Sequence, residues 1–227
     1  NMVIGLKERE RIKDIFGKFV SSKIRDEILN NKIELGGKKY QASVLFCDIR
    51  NFTEISEKLN AKDVVDMLNS YFNEMVIAII QNNGVLDKFI GDAIMAVFGP
   101  PEGYSNHAEN ALNAAITMVK KLKAFNEIRK LSNQHEIHFG IGINTGEVIA
   151  GNIGSSERME YTVIGDTVNV ASRIEGLTKT YNTKLIISKS TYEQITDKTR
   201  FTFRSLDTIK VKGREKPTEI FEVIVED

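Results

Sequence analysis

A single cysteine, Cys47, stands in a chain of 227 residues, so no disulfide can form within it and a reducing compartment is the expected setting. Neither sign of charge is in excess. Lys plus Arg and Asp plus Glu each number 31, which leaves no global electrostatic footprint for nucleic acid. Long apolar runs are missing too: the uncharged stretch from Met75 to Leu86 is about a dozen residues, against the roughly 20 of a membrane-spanning helix. No secretory signal opens the chain, and its start at Asn1-Met2 reads as a segment of something longer. The phosphate loop G-x-x-x-x-G-K-[ST] is absent, since neither Gly36-Gly37-Lys38-Lys39 nor Gly176-Leu177-Thr178-Lys179-Thr180 matches it. The glycines between Gly140 and Gly151 make no dinucleotide fingerprint opening a helix. His107, His135 and His138 have no zinc spacing with cysteine, and Cys47 reads as a small core residue rather than a nucleophile. What is present, 41% hydrophobic and 27% charged residues, is enough to bury a core. The expectation is a soluble cytoplasmic domain of enzyme size.

The pattern along the chain gives an order of elements. Leu6 to Leu29 reads as an amphipathic helix, with Ile12, Ile15, Phe16, Phe19 and Val20 at helical spacing. Gly36-Gly37 after it reads as a hinge, dividing a 1–35 helix and linker from a main domain over 36–227. Ser43 to Cys47 is a short apolar run, as in a central strand. Val64, Val65, Leu68, Tyr71, Phe72, Met75, Val76 and Ile79 then mark a helix. Val85 to Phe89 and Ala93 to Phe98 flank Ile90-Gly91-Asp92 as a tight hairpin. A long helix from about Ala108 to Leu131 and a strand-rich stretch from Ile137 to Ile153 follow. The fold class is therefore α+β: a ferredoxin-like βαββαβ core, an antiparallel sheet with helices on one face. Thr167 to Tyr181 reads as a further helix, and Leu185 to Ile187, Phe201 to Phe203 and Ile220 to Val225 as extra strands.

In that order the first strand ends where the central hairpin turns, so Asp48 and Asp92, 44 positions apart, should lie side by side. Two carboxylates held together at neutral pH repel unless a cation lies between them, and oxygen ligands of this kind suit Mg²⁺ or Mn²⁺. The alternative is that each aspartate caps a neighbouring turn or helix.

Phe46-Cys47-Asp48-Ile49-Arg50-Asn51-Phe52-Thr53, Lys88-Phe89-Ile90-Gly91-Asp92, and the run from Tyr161 through Ile164-Gly165-Asp166 to Arg173 together resemble the catalytic domain of class III nucleotide cyclases of the bacterial adenylyl type. The resemblance covers nearly everything from about Lys39 onward. It implies that Asp48 and Asp92, with the Ile49 carbonyl, hold two Mg²⁺ or Mn²⁺ ions. It places the backbone N–H groups of Asn51, Phe52 and Thr53 at phosphate. It also implies that Asn169 orients the ribose, Arg173 stabilises charge on the α-phosphate, and Lys212 neutralises the outer phosphates. Asn169 and Arg173 are i and i+4 on the expected helix, hence on one face, beside an apolar stripe of Val170, Ile174, Leu177 and Tyr181.

Lys88 and Thr162 match the purine-reading positions. A donor-only lysine suits the N1 acceptor of adenine and opposes the N1–H of guanine, whereas a threonine hydroxyl can accept or donate and discriminates less. ATP is the expected substrate, with a guanylyl or mixed-substrate cyclase, or a non-catalytic nucleotide-binding regulatory domain, as alternatives. In this family one partner supplies the metal aspartates and the other the remaining groups. One chain carrying both sets implies a head-to-tail homodimer. The stretch Glu8 to Val20 resembles the segment joining many bacterial cyclase domains to an upstream regulatory or membrane module, which makes a membrane-associated parent protein the further expectation.

Overall fold

The computed structural model describes residues 35–209 and 217–225, together with Arg11, Gly17, Ile24 and Arg25. The helix expected over Leu6 to Leu29 falls almost wholly outside these residues, as does Lys212. Among the described residues eight strands form one sheet: β1 (Gly36–Ile49), β2 (Val85–Ile90), β3 (Ala93–Phe98), β4 (Phe139–Gly154), β5 (Met159–Ile164), β6 (Leu185–Ser188), β7 (Thr202–Ile209) and β8 (Thr218–Ile224). The α-helices within residues 35–209 are α1 (Phe52–Glu57), α2 (Ala61–Gln81), α3 (His107–Leu131), α4 (Asp166–Thr180) and the short α5 (Lys189–Glu193).

The sheet runs β2-β3-β1-β4-β6-β8-β7, with β5 paired to β4 off this path. Its first four strands have the ferredoxin-like order, all antiparallel. One face is closed as expected: Leu45, Cys47 and Ile49 of β1 and Ile94, Ala96 and Phe98 of β3 pack against Met67, Tyr71 and Met75 of α2 and Ala111, Leu112 and Met118 of α3. Two features go beyond the expectation. The β4–β6 pairing is parallel. The opposite face is also covered: Ala171 of α4 packs with Ala42, Val44, Met95 and Val97, while Val170 and Ile174 pack on Ile186 and Ile220. The apolar stripe of α4 is thus what holds the helix down, with Leu177 and Tyr181 partly buried at its edge.

Gly36-Gly37 is not a hinge. Both residues lie in β1, in register with Asn152 and Gly151 of β4, because β4 is a single strand of 16 residues that gives the polar first half of β1 a partner. Cys47 is a core residue as expected, its Sγ 3.3 Å from the Tyr71 hydroxyl, and burial pushes its thiol far above the ordinary range.

Candidate active site

Strand alternation and one turn position the acid pair. Leu45, Cys47 and Ile49 point into the core under α2 and α3, so Phe46 and Asp48 face the other side of β1. Ile90 pairs with Ala93, leaving Gly91 and Asp92 as a two-residue turn, and Gly91 takes a φ of 63° that few side chains tolerate. The register from Ser43 opposite Phe98 to Cys47 opposite Ile94 then brings Asp48 up beside that turn. The two carboxyl groups are close enough to share a hydrogen bond. Burial and the charge of Asp92 push the Asp48 carboxyl up to about 6, against a hydrogen bond from the Ile49 N–H that pulls it down.

A third acid, Glu175 of α4, has no place in the sequence reading. It reaches this region because α4 lies directly on β4 at two glycines. A Cβ on Gly142 would come within 2.1 Å of the Glu175 backbone nitrogen, and one on Gly140 within 2.0 Å of the Thr178 hydroxyl. Burial and the charge of Asp48 raise Glu175 to about 7, opposed by Arg50 and assisted by Asp92. Arg50 itself ties the end of β1 to the end of α4, donating to the carbonyl of Thr178 at 3.0 Å and to that of Thr183.

Among the described residues no group of three or more His, Cys, Asp or Glu side chains is arranged to hold a metal. The acid pair offers two carboxylates and a neighbouring backbone carbonyl, all hard oxygen donors, in a place where their mutual repulsion already raises a pKa. That donor set fits Mg²⁺ or Mn²⁺ with the remaining ligands drawn from water and phosphate. Asp48 and Glu175 therefore bind more protons folded than unfolded. Their contribution is greatest below the ordinary carboxylate values of 3.8 and 4.5 and is lost as pH rises through about 6 to about 7. Without divalent ions, the melting temperature should fall by a few degrees between pH 5 and pH 8, on the order of 1 kcal/mol per group after solvent screening. Mg²⁺ added at pH 8 should restore it. A melting temperature flat or rising over that range would contradict this charge arrangement.

The second group of side chains lies on β2 and β5. The β2–β3 register shifts between Leu86 and Lys88, so Asp87 sits in a β-bulge and both it and Lys88 reach β5. Lys88 Nζ is 2.7 Å from Glu160 and 3.6 Å from Asp87, and the Thr162 hydroxyl donates to Asp87 at 2.9 Å. Burial draws the Lys88 ammonium down, but these two acids more than offset it and its pKa is raised. Burial likewise raises Asp87, opposed by Thr162 and Lys88.

The third group is on α4. Asn169 and Arg173 are both exposed. Arg173 lies two residues from Glu175, about 200° around a helix, and Asn169 is about 240° from it. While Glu175 is turned to the acid pair, Asn169 and Arg173 are turned away from it. Asn51, in the left-handed region at φ 57°, starts α1, and Phe52 anchors that helix on the core while Thr53 is exposed. The N–H groups of the first helical turn point outward from such a start.

The chain matches the family described as the adenylate and guanylate cyclase catalytic domain over residues 36–224. It is 36% identical over 204 residues to adenylate cyclase 1 of Rhizobium meliloti, covering 87% of this chain and 30% of that protein. It is 38% identical over 229 residues to the adenylate cyclase of Anabaena cylindrica, covering 97% of this chain and 45% of that protein. The chain thus spans less than half the length of these relatives. Among solved structures, the adenylyl cyclase CyaB from P. aeruginosa superimposes with a TM-score of 0.76 at 36% identity, over 85% of this chain and 98% of that one. The guanylyl cyclase Cya2 does so with a TM-score of 0.74 at 36% identity, over 83% and 94%.

Proposed function

The chain belongs to the adenylate and guanylate cyclase catalytic domain family, and from that premise we propose that it converts ATP to 3′,5′-cyclic AMP and pyrophosphate at sites shared by two copies of itself. One observation above all supports the shared site. On α4, Glu175 is turned to the acid pair of its own chain, whereas Asn169 and Arg173 are presented to solvent on the other side. That direction favours service to the acid pair of a second copy over service to their own, in a head-to-tail dimer with two equivalent sites. Ile90, Ile149, Met159 and Ile164 are left exposed around the hairpin and β5, an apolar surface of the kind a partner subunit covers.

In this reading Asp48, Asp92 and the Ile49 carbonyl hold two Mg²⁺ or Mn²⁺ ions, whose chemistry when bound is to ease deprotonation of the ribose 3′-hydroxyl and offset phosphate charge. The 3′-oxygen forms its bond to the α-phosphorus, the bond from that phosphorus to the bridging oxygen breaks, pyrophosphate leaves and the 3′ proton passes to water. Asn169 holds the ribose so that attack is in line. Arg173 stabilises the charge that grows on the α-phosphate oxygens. The N–H groups of Asn51, Phe52 and Thr53, with Lys212, hold the outer phosphates.

Overall likeness does not choose the base, since an adenylyl and a guanylyl cyclase are matched at the same 36% identity. Lys88 supports adenine. It carries only donors, complementary to adenine N1 and opposed to guanine N1–H. The test is product formation from ATP and, separately, GTP with Mg²⁺ or Mn²⁺ at several protein concentrations. Cyclic AMP should dominate, with specific activity rising with protein concentration as the dimer forms. Cyclic GMP as the main product would overturn the base assignment, and no product from a confirmed dimer would overturn the catalytic reading in favour of a regulatory domain.

A further inference from the structure

Thr162 has an ambiguity that its sequence leaves open: a hydroxyl both donates and accepts, and so can greet the 6-amino group of adenine or the 6-oxo group of guanine. The structure resolves where its hydrogen goes. Thr162 Oγ1 donates to Asp87 Oδ2 at 2.9 Å. The Asp87 side chain is only 4% exposed, and Lys88 Nζ stands 3.6 Å from the same carboxylate oxygen. An ionised carboxylate offers acceptors only, so the bond has one polarity. It exists because β2 bulges at Asp87. In an unbroken strand, consecutive residues point to opposite faces, and Asp87 and Lys88 could not both turn to β5.

We propose that Asp87 is a positioning residue for base selection: by taking the Thr162 hydrogen it leaves only lone pairs of Thr162 facing the 6-position of the purine. Beside Lys88, a fixed donor, this makes a donor–acceptor pair complementary to N1 and the 6-amino group of adenine. Guanine meets both groups with the wrong polarity, an N1–H before the lysine and an O6 before the lone pairs. The inference rests on the assignment of Lys88 and Thr162 to the base, and it adds that the discrimination by Thr162 is set by a residue that never touches the nucleotide.

The experiment compares kcat/KM for ATP, GTP and purine riboside triphosphate, which has no substituent at the 6-position, in the wild-type chain, Asp87→Ala, the near-isosteric and acceptor-free Asp87→Leu, Thr162→Val and the double variant Asp87→Ala/Thr162→Val. In Asp87→Ala the Thr162 hydroxyl is released to donate. The ATP-to-GTP ratio should fall about tenfold, the scale of one hydrogen bond of reversed polarity. The ATP-to-purine-riboside ratio should fall and the GTP-to-purine-riboside ratio should rise. In the Thr162→Val background, adding Asp87→Ala should change the ATP-to-GTP ratio by less than about twofold, because there is no hydroxyl left to orient. Asp87→Leu keeps the approximate shape of the side chain with no acceptor, and its ratio should move in the same direction, which preserves the test if the alanine variant does not fold. A merely structural role would lower all three nucleotides together and leave every ratio at its wild-type value, and that result would overturn the proposal. So would a ratio that shifts equally with and without the Thr162 hydroxyl. A wild-type chain that makes chiefly cyclic GMP would instead overturn the ATP assignment on which the proposal stands.

Discussion

Asp48→Ala is expected to lower kcat by a factor of about a thousand or more, on the order of 4 kcal/mol of transition-state stabilisation, while making the metal-free protein more stable at pH 8. The two effects have one cause. Asp48 and Asp92 are brought together by the end of β1 and the β2–β3 turn, and the carboxyl of Asp48 is already pushed up to about 6 by burial and by its neighbour. Removing one charge relieves that repulsion and also removes half of the carboxylate donor set. Asp48→Asn separates the contributions, since it keeps the volume and loses only the charge. It should match the alanine variant in activity, and its melting temperature should no longer fall between pH 5 and pH 8 as steeply as the wild type's. Retention of a tenth or more of the wild-type turnover in either variant, with saturating Mg²⁺ or Mn²⁺, would remove Asp48 from the catalytic machinery.

Arg173→Ala should cost about a hundredfold to a thousandfold in kcat, the range for loss of one preorganised charge at a developing oxyanion, and its fold should be unaffected because the side chain is exposed. The larger effect is the recovery on mixing. Equal amounts of Asp48→Ala and Arg173→Ala chains, allowed to exchange, give heterodimers in which one site carries both lesions and the other carries neither. On twofold counting about a quarter of all sites are restored, from two preparations that are each nearly inactive. Dimer exchange is followed separately, for instance by energy transfer between labelled chains. Proven exchange without recovered activity would sink the shared site and require Arg173 to serve its own chain.

Much of this arrangement was legible in the sequence, and the parts that were not have physical reasons. The hairpin was readable because two apolar runs flank a glycine, and the strand order that follows from βαββαβ was enough to set Asp48 beside Asp92. The α4 stripe of Val170 and Ile174 was readable because helical periodicity is local. The first half of β1 was not. Gly36 to Gln41 has no apolar alternation, and it is a strand only because β4, more than a hundred residues later, runs long enough to pair with it. For Glu175, the signal was the Gly140-x-Gly142 spacing within a strand, which marks a close helix approach without saying which residue approaches. Asp87 also carried a signal, a carboxylate beside Lys88 inside a strand run whose other residues are apolar, the kind of local conflict that often marks a functional position. Its partner on β5 is 75 positions away and could come only from the fold.

The pairing of β1 with β4 also determines how a mechanical input can travel. From Gly36 to Asp48 the chain is one unbroken strand, about 40 Å at 3.3 Å per residue, with its outer half exposed and its inner half clamped between β3 and β4. Sliding that strand by a single residue would turn Val44 and Leu45 onto the wrong faces of the sheet, with every inner pair mismatched at once. Translation along the axis is therefore blocked. Bending or twisting of the outer half is less restricted, because among the described residues β4 is the strand that pairs with it there, while β3 joins only from Ser43. In the proposed dimer, a load applied near Gly36 would reach Asp48 as a change in tilt, like a lever working about a fixed pivot, and would alter the angle at which the acid pair faces the second subunit.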